Sequence, residues 1–408
     1  MQKPFKNLVL KSPSYSNLLV EDIEDLKDGF TSIPFSDELV KFITELSSYL
    51  MASDIAKKHP DIIAFAFWCR KSNINSFKKS FEKNDTLRLG RGIVFHIAPS
   101  NVPVIFAYSL VAGLLSGNIN LVRVSSKPFP QVDIICDSIN KLLKTHKFPF
   151  LESKLFIFTY DKRSNLTDYF SSIADVRILW GGDKTISELK KSETPIKCYD
   201  ISFVDKYSMC IINADVYLCE ENKTRIARNF YNDTYFYDQN ACTSPHLVIW
   251  MGTNDNIAKA KKDFWNNLYV HVKQEYSIMA ITAVDKYVSL CELALTHDIG
   301  AVINHDNLIV RISINHLFPG IEKLKFHSGY FFEYEAKSIN ELATIINRKF
   351  QTIAYYGFSK NELKAFIIEN KPNGIDRIVP LGQTADFSLY WDGFDLLNSL
   401  TRTIHFGK

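Results

Sequence analysis

The 408-residue chain lacks the marks of several protein classes. Its seven cysteines (Cys69, Cys136, Cys198, Cys210, Cys219, Cys242 and Cys291) are odd in number and widely scattered, with no C-x-x-C pair and no Cys/His cluster at zinc-ligand spacing. That argues against a disulfide framework and against a metal site, and for a reducing compartment. No run approaches the roughly 18 apolar residues of a membrane-spanning helix. The stretch 1–10 has lysines but no apolar core of signal-peptide length. A cytoplasmic protein without an integral membrane segment is the expectation. Charge of one sign is also missing: 48 Lys plus Arg face 45 Asp plus Glu, a net +3. Nucleic-acid binding by phosphate neutralisation is thereby disfavoured, leaving small molecules or proteins as partners. No internal repeat or low-complexity segment interrupts the chain.

What is present suits a globular enzyme. With 46% hydrophobic and 13% aromatic residues, the chain can bury a large core, and its length suggests two or three structural units. The first eighty or so residues read as mainly helical, because Leu39, Val40, Phe42, Ile43, Leu46, Tyr49 and Leu50 recur at three- and four-residue spacing, followed by a dense apolar run over 62–68. From Gly92 onward, strand and helix patterns alternate. Strands are expected at 93–97, 119–124, 154–159, 176–180, 209–213, 247–250, 308–314 and 329–334, with helices at 104–115, 131–143 and 224–237. Such alternation predicts an α/β fold with a parallel sheet covered on both faces.

Two segments carry candidate chemistry. Gln239-Asn240-Ala241-Cys242-Thr243-Ser244-Pro245 sets one cysteine among small and polar residues between a helix and a strand. A nucleophilic thiolate needs a partly exposed, polar setting, although a lone loop cysteine is also commonly a passive small residue. Far upstream, Ala98-Pro99-Ser100-Asn101-Val102-Pro103 follows the carboxyl end of a strand in a βαβ unit. Ligands bind at that edge of open α/β sheets, so Asn101 is placed to point an amide into a crevice. Asn is equally a favoured helix N-cap. A third segment, Trp180-Gly181-Gly182-Asp183-Lys184, ends a strand in a turn and opens a helix at about Thr185. A helix start offers unpaired N–H groups to a phosphate, though this is no G-x-G-x-x-G fingerprint.

Taken in order, these blocks resemble the LuxC-type long-chain acyl-CoA reductases of the aldehyde dehydrogenase superfamily. The resemblance rests on residues 96–103, on 113–118 leading into Val122-Arg123-Val124-Ser125-Ser126-Lys127, on Asp205-Lys206-Tyr207-Ser208, on 239–245 and on 374–383. It covers most of the chain but places no block before about residue 85. It implies an aldehyde dehydrogenase-like fold: a Rossmann-type cofactor domain over 86–205, an α/β catalytic domain over 206–378, and a segment over 379–408 returning to the cofactor domain or to an oligomer partner; the mainly helical part over 1–85, read from its periodicity alone, is expected to pack on the cofactor domain.

By the same resemblance, Cys242 is the nucleophile that takes the acyl group from coenzyme A, and the Asn101 amide with the Cys242 N–H holds the oxyanion. Gly182, with Asp183 and Lys184 beside it, matches the glycine-containing turn next to the dinucleotide. The stretch 122–127 resembles the superfamily's L-K-P-S-E strand beside the adenosine ribose, with Val124 in the place of its lysine and Lys127 in the place of its acid. An ammonium there, with Arg123, Ser125 and Lys184 near, favours a 2′-phosphate, so NADPH is expected over NADH. The E-L-G-G-K signature is absent; Ser202 stands where its water-activating glutamate would be, which favours thioester reduction over aldehyde oxidation. Asp200 and His246 are further candidates for proton transfer. Thirty phenylalanines and nineteen tyrosines could line an acyl tunnel or an ordinary core. A homo-oligomer and an acyl-protein synthetase partner are implied by the family. Two rival readings stay open, namely reduction of a short or carrier-bound acyl group, and a non-catalytic nucleotide-binding subunit.

Overall fold

A computed structural model of the chain describes residues 8–12, 31–82 and 86–407. The helical expectation for the amino-terminal part therefore lies partly outside the described residues. The chain forms two compact units, Met1–Val204 with Phe387–Lys408, and Asp205–Asp386.

The first unit is built on a six-stranded sheet. The sheet's strands are β1 (Val9–Ser12), β3 (Ile93–Ile97), β4 (Ile119–Arg123), β5 (Leu155–Thr159), β6 (Val176–Trp180) and β7 (Tyr199–Phe203), in the order β1-β5-β4-β3-β6-β7, while β2 (Leu87–Gly90) stands outside it. All neighbours are parallel except β1, which runs antiparallel to β5. A strand at 9–12 differs from the helical reading of this region; four residues are too few to carry a period. Every residue of β3, β4 and β6 is buried, which is why these strands read as mostly apolar stretches, broken only by the buried polar residues His96, Asn120, Arg123 and Arg177, rather than as alternating ones. One face packs on the helices Ile105–Leu115 and Pro130–Leu143 and on Asp37–Ala52 beyond them. The other carries Leu166–Ile173 and Asp183–Leu189.

The strand order places a topological switch at β3 and β6, since β3 leads to β4 on one side and β6 leads to β7 on the other. Ligands bind outside the carboxyl ends of strands at such a point. Next to this sheet, Thr401–Ile404 pairs antiparallel with β2, and Asn118 ties the same segment down by donating from Nδ2 to Leu400 O at 2.9 Å while its Oδ1 accepts from Arg91 N and Gly92 N.

The second unit contains a seven-stranded sheet of β8 (Tyr207–Asn213), β9 (Pro245–Met251), β10 (Ile299–His305), β11 (Ile309–Ile314), β12 (Tyr330–Glu335), β13 (Phe350–Tyr356) and β14 (Arg377–Pro380), in the order β10-β11-β12-β9-β8-β13-β14. Only the β10–β11 pair is antiparallel. Two apolar clusters cover its faces, one around Met209, Ile249 and Phe332, the other around Trp250, Phe264 and Trp265. Glu333 is buried on β12 and accepts hydrogen bonds from Trp250 Nε1, Trp265 Nε1 and the Arg311 guanidinium, so its charge is paired inside the unit.

Candidate active site

Cys242 sits in a tight loop between the 3-10 turn Tyr235–Tyr237 and the amino end of β9, half-buried. Asp238 and Gln239 both adopt left-handed backbone angles (φ 51° and 60°), which turn the chain sharply before the cysteine. The main force holding the loop is one buried amide. Gln239 Nε2 donates to Pro245 O and Tyr330 O, each at 3.0 Å, and Gln239 Oε1 accepts from Gly329 N and Tyr330 N, each at 2.9 Å. Both donor hydrogens and both acceptor sites of that amide are thereby used. Ser208 on β8 donates from its hydroxyl to Cys242 O at 2.7 Å and accepts from Thr352 N. Ser244 N bonds Ala241 O to complete the turn. The cysteine's main chain is thus fixed on both sides, and the residue as a whole is half-buried.

Gly329 is required beside this loop. Its φ is +85°, and a Cβ there would overlap Leu308 O and the Tyr235 hydroxyl. Ser328 N donates to Asp238 O at 2.9 Å, joining the 326–330 segment to the cysteine loop. Ser328 O in turn accepts from Lys286 Nζ, whose second bond goes to Asn307 O at 2.7 Å. Burial pushes the Lys286 ammonium down to about 7.

Of the two proton-transfer candidates, Asp200 is paired with Arg177, whereas His246 is buried with its Nδ1 lacking a hydrogen-bond partner among the described residues. His246, on β9, is buried and stacks on Tyr207 with ring centroids 5.5 Å apart; burial and then the Lys325 charge hold its imidazole down at about 3, so it is neutral over the working pH range. Asp200, on β7, accepts two charge-assisted bonds from Arg177, at 2.7 and 2.9 Å. Its carboxylate is the partner of a buried guanidinium and is itself 17% exposed. The nearer signal in the sequence was Arg177 on the neighbouring strand, in register with Asp200.

In the first unit, three predicted ligand positions follow adjacent strands. Asn101 is exposed in the loop after β3, Ser125 and Lys127 follow β4, and Gly182 follows β6. Asn101 does not cap the helix, because the N-cap is Val104, three residues on. Gly182 is the N-cap of Asp183–Leu189, with Asp183 and Lys184 exposed in its first turn. Its φ of −68° is open to any residue, so the turn does not demand glycine; what glycine leaves is open space, with nothing within 4 Å of a Cβ there. Ser125 Oγ accepts from Lys127 N at 3.2 Å, and Lys127 itself is exposed.

Arg123, the last residue of β4, is buried, with its guanidinium 5.0 Å from the Tyr160 ring centroid. Its Nε and Nη2 have no hydrogen-bond partner among the described residues, nor has Trp180 Nε1 at the end of β6. An open surface cleft of about 510 Å³ lies between the helix Leu166–Ile173, with its N-cap Asn165, and the segment after Asp183–Leu189; it is lined by Asn165, Asp168, Tyr169, Ser172 and Lys191 to Glu193, and by none of the cofactor-site candidates. No group of three or more His, Cys, Asp or Glu side chains suited to a metal occurs among the described residues.

A half-buried cysteine on a clamped loop and a doubly wound sheet with a polar carboxyl edge define a protein of aldehyde dehydrogenase-like architecture. Solved structures agree on the fold. Aldehyde dehydrogenase 21 from Physcomitrella patens superposes with a TM-score of 0.66 at 12% identity, covering 95% of this chain and 90% of that one. A lactaldehyde dehydrogenase gives 0.66 at 9% identity, covering 94% and 89%. The family described as "Acyl-CoA reductase (LuxC)" matches residues 60–279, more than half of the chain, and the chain belongs to that family. Similar curated proteins are named long-chain acyl-protein thioester reductases. That of Vibrio harveyi is 25% identical over 324 residues, 78% of this chain and 64% of the relative, and that of Aliivibrio fischeri is 27% identical over 164 residues, 40% of this chain and 33% of the relative. The matched regions therefore span between one third and two thirds of those relatives.

Proposed function

We propose that the chain reduces a long-chain acyl thioester to the fatty aldehyde, with Cys242 as acyl carrier and NADPH as reductant. The observation that carries this reading is the framing of Cys242: a half-buried cysteine whose loop is fixed by the Gln239 amide and the Ser208 hydroxyl. Preorganisation of this kind is what a nucleophile needs and a passive cysteine does not.

In the first step the Cys242 thiolate attacks the acyl carbonyl. A carbon–sulfur bond forms, the bond to the donor's sulfur breaks, and the departing thiolate takes up a proton. The Cys242 N–H would stabilise the oxyanion, and the family resemblance assigns a second donor role to the Asn101 amide; each such donor is worth roughly a hundredfold to a thousandfold. The relatives' name favours an acyl group carried on a protein as the donor; acyl-CoA presents the same reacting bond. The water-activating glutamate has no counterpart at Ser202, on β7, and this supports transfer between thiols over hydrolysis.

The residues at the carboxyl edge of the first sheet suit a nicotinamide dinucleotide: an incompletely paired buried guanidinium, an unobstructed glycine turn and an exposed lysine. Arg123, Ser125, Lys127, Gly182, Asp183 and Lys184 would hold it, and Lys127 with Lys184 would favour a 2′-phosphate. When bound, the cofactor supplies the hydride that reduces the acyl carbon. Cys242 then departs from the reduced carbon as thiolate and the aldehyde is released. A homo-oligomer and an acyl-protein synthetase as acyl supplier belong to the same proposal.

The test is product formation from two donors, tetradecanoyl-CoA and a tetradecanoyl-protein thioester, each with NADPH. Aldehyde in step with NADPH consumption is expected from at least one; none from either contradicts the reading.

A further inference from the structure

Lys286 lies on the face of the helix Ala280–Thr296 that meets the second sheet, and it is 2% exposed. Its ammonium has no carboxylate within ion-pair distance among the described residues; both its hydrogen bonds end on main-chain carbonyls, of Asn307 and Ser328. A buried amine is costly, and a methionine would fill the same length without that cost. Its acceptors explain its presence. Asn307 and Ser328 each sit in a left-handed pair, Asp306–Asn307 (φ 51° and 59°) and Ser328–Gly329 (φ 62° and 85°). A third such pair, Asp238–Gln239, opens the cysteine loop and is bonded to the second through Ser328 N, Gly329 N and Tyr330 N. Left-handed backbone in five non-glycine residues is strained and persists only where the surroundings fix it.

We propose that Lys286 is a positioning residue for Cys242, clamping the 307 and 328 turns so that the 328–330 backbone presents its N–H groups to Gln239 and sets the cysteine loop. The inference rests on the reading of Cys242 as the reacting thiol. The chain of contacts is short: Lys286 to Ser328, Ser328 to Asp238, Gly329 and Tyr330 to Gln239, Gln239 to Pro245, with Cys242 inside the loop that the last bond closes.

Two readouts separate positioning from plain packing. The first is the rate at which iodoacetamide alkylates Cys242, followed by peptide mass spectrometry; the second is the rate of Cys242 acylation by tetradecanoyl-CoA. In Lys286→Met, both rates are expected to fall at least tenfold while NADPH binding and the thermal midpoint stay close to the parent's. In Lys286→Ala, propylammonium is expected to restore alkylation in part, and 1-propanol, of similar size but uncharged, is not. Parental rates in Lys286→Met overturn the proposal. Should that variant fail to fold, equal rescue of Lys286→Ala by propylammonium and propanol overturns it instead. A parent that is alkylated but never acylated counts against the proposed function alone, because the alkylation comparison still decides the role of Lys286.

Discussion

Gln239 Nε2 lies 3.0 Å from Pro245 O, closing a loop of seven residues with Cys242 at its centre. That bond makes the cysteine's position depend on a side chain three residues away, and on the β12 backbone that the same amide also holds. Reactivity and local stability are therefore coupled at Gln239.

Gln239→Leu keeps the volume and removes four hydrogen bonds. Each buried group left without a partner costs roughly 1–3 kcal/mol, so a loss of about 3 kcal/mol or more is expected in urea unfolding. Acylation of Cys242 should fall with it. Unchanged stability in this variant would show that the amide does not hold the loop.

How legible this was differs between the two units. The strands at 93–97 and 176–180 match their sequence readings, because a fully buried parallel strand bounded by glycine or polar turns has no competing pattern. β10 and β14 were not anticipated: four consecutive residues of β10 are exposed and β14 is half-buried, so neither shows a buried run or clean alternation. Cys242 and Asn101 stood out as residues, but the clamp around Cys242 did not. Gln239, Ser208, Ser328 and Lys286 come from four separate stretches, and nothing in their spacing announces that they meet. The pairing of Asp200 with Arg177 was hidden for the same reason, since it depends on strand register.

Asp200→Asn should leave the acylation rate within a few-fold of the parent. Stability should drop by about 3 kcal/mol, since Arg177 would keep a buried charge with its partner neutralised. A collapse of activity in a variant that remains folded at the assay temperature would return Asp200 to the list of proton-transfer groups.

Acid sensitivity follows from two buried histidines. Burial lowers His96 to about 4 and His246 to about 3, against an ordinary value of 6.5. Both groups stay neutral in the folded chain while the unfolded chain takes up protons below pH 6.5, so their contribution is complete above 6.5 and is lost as the pH falls toward 4 and 3. Each contributes a slope of up to about 1.4 kcal/mol per pH unit. Urea unfolding between pH 6.5 and 5 should show His246→Gln with a shallower slope than the parent; parallel slopes would mean that His246 is not held neutral.

Cofactor preference should respond to Lys127. Replacing it by Glu puts a carboxylate where a 2′-phosphate is expected, and NADPH should weaken relative to NADH by roughly tenfold, about 1.4 kcal/mol. Fluorescence titration with both cofactors reads the ratio. A ratio that does not move would assign Lys127 to solvent only.

A covalent acyl-Cys242 is the intermediate on which the proposed reaction turns, and intact mass detects it directly. The chain is incubated with tetradecanoyl-CoA or a tetradecanoyl-protein thioester, without NADPH, alongside Cys242→Ala. A tetradecanoyl mass increase is expected in the parent alone, discharged as aldehyde when NADPH is added. The same increase in Cys242→Ala, or none in the parent with either donor, would contradict the proposed reaction.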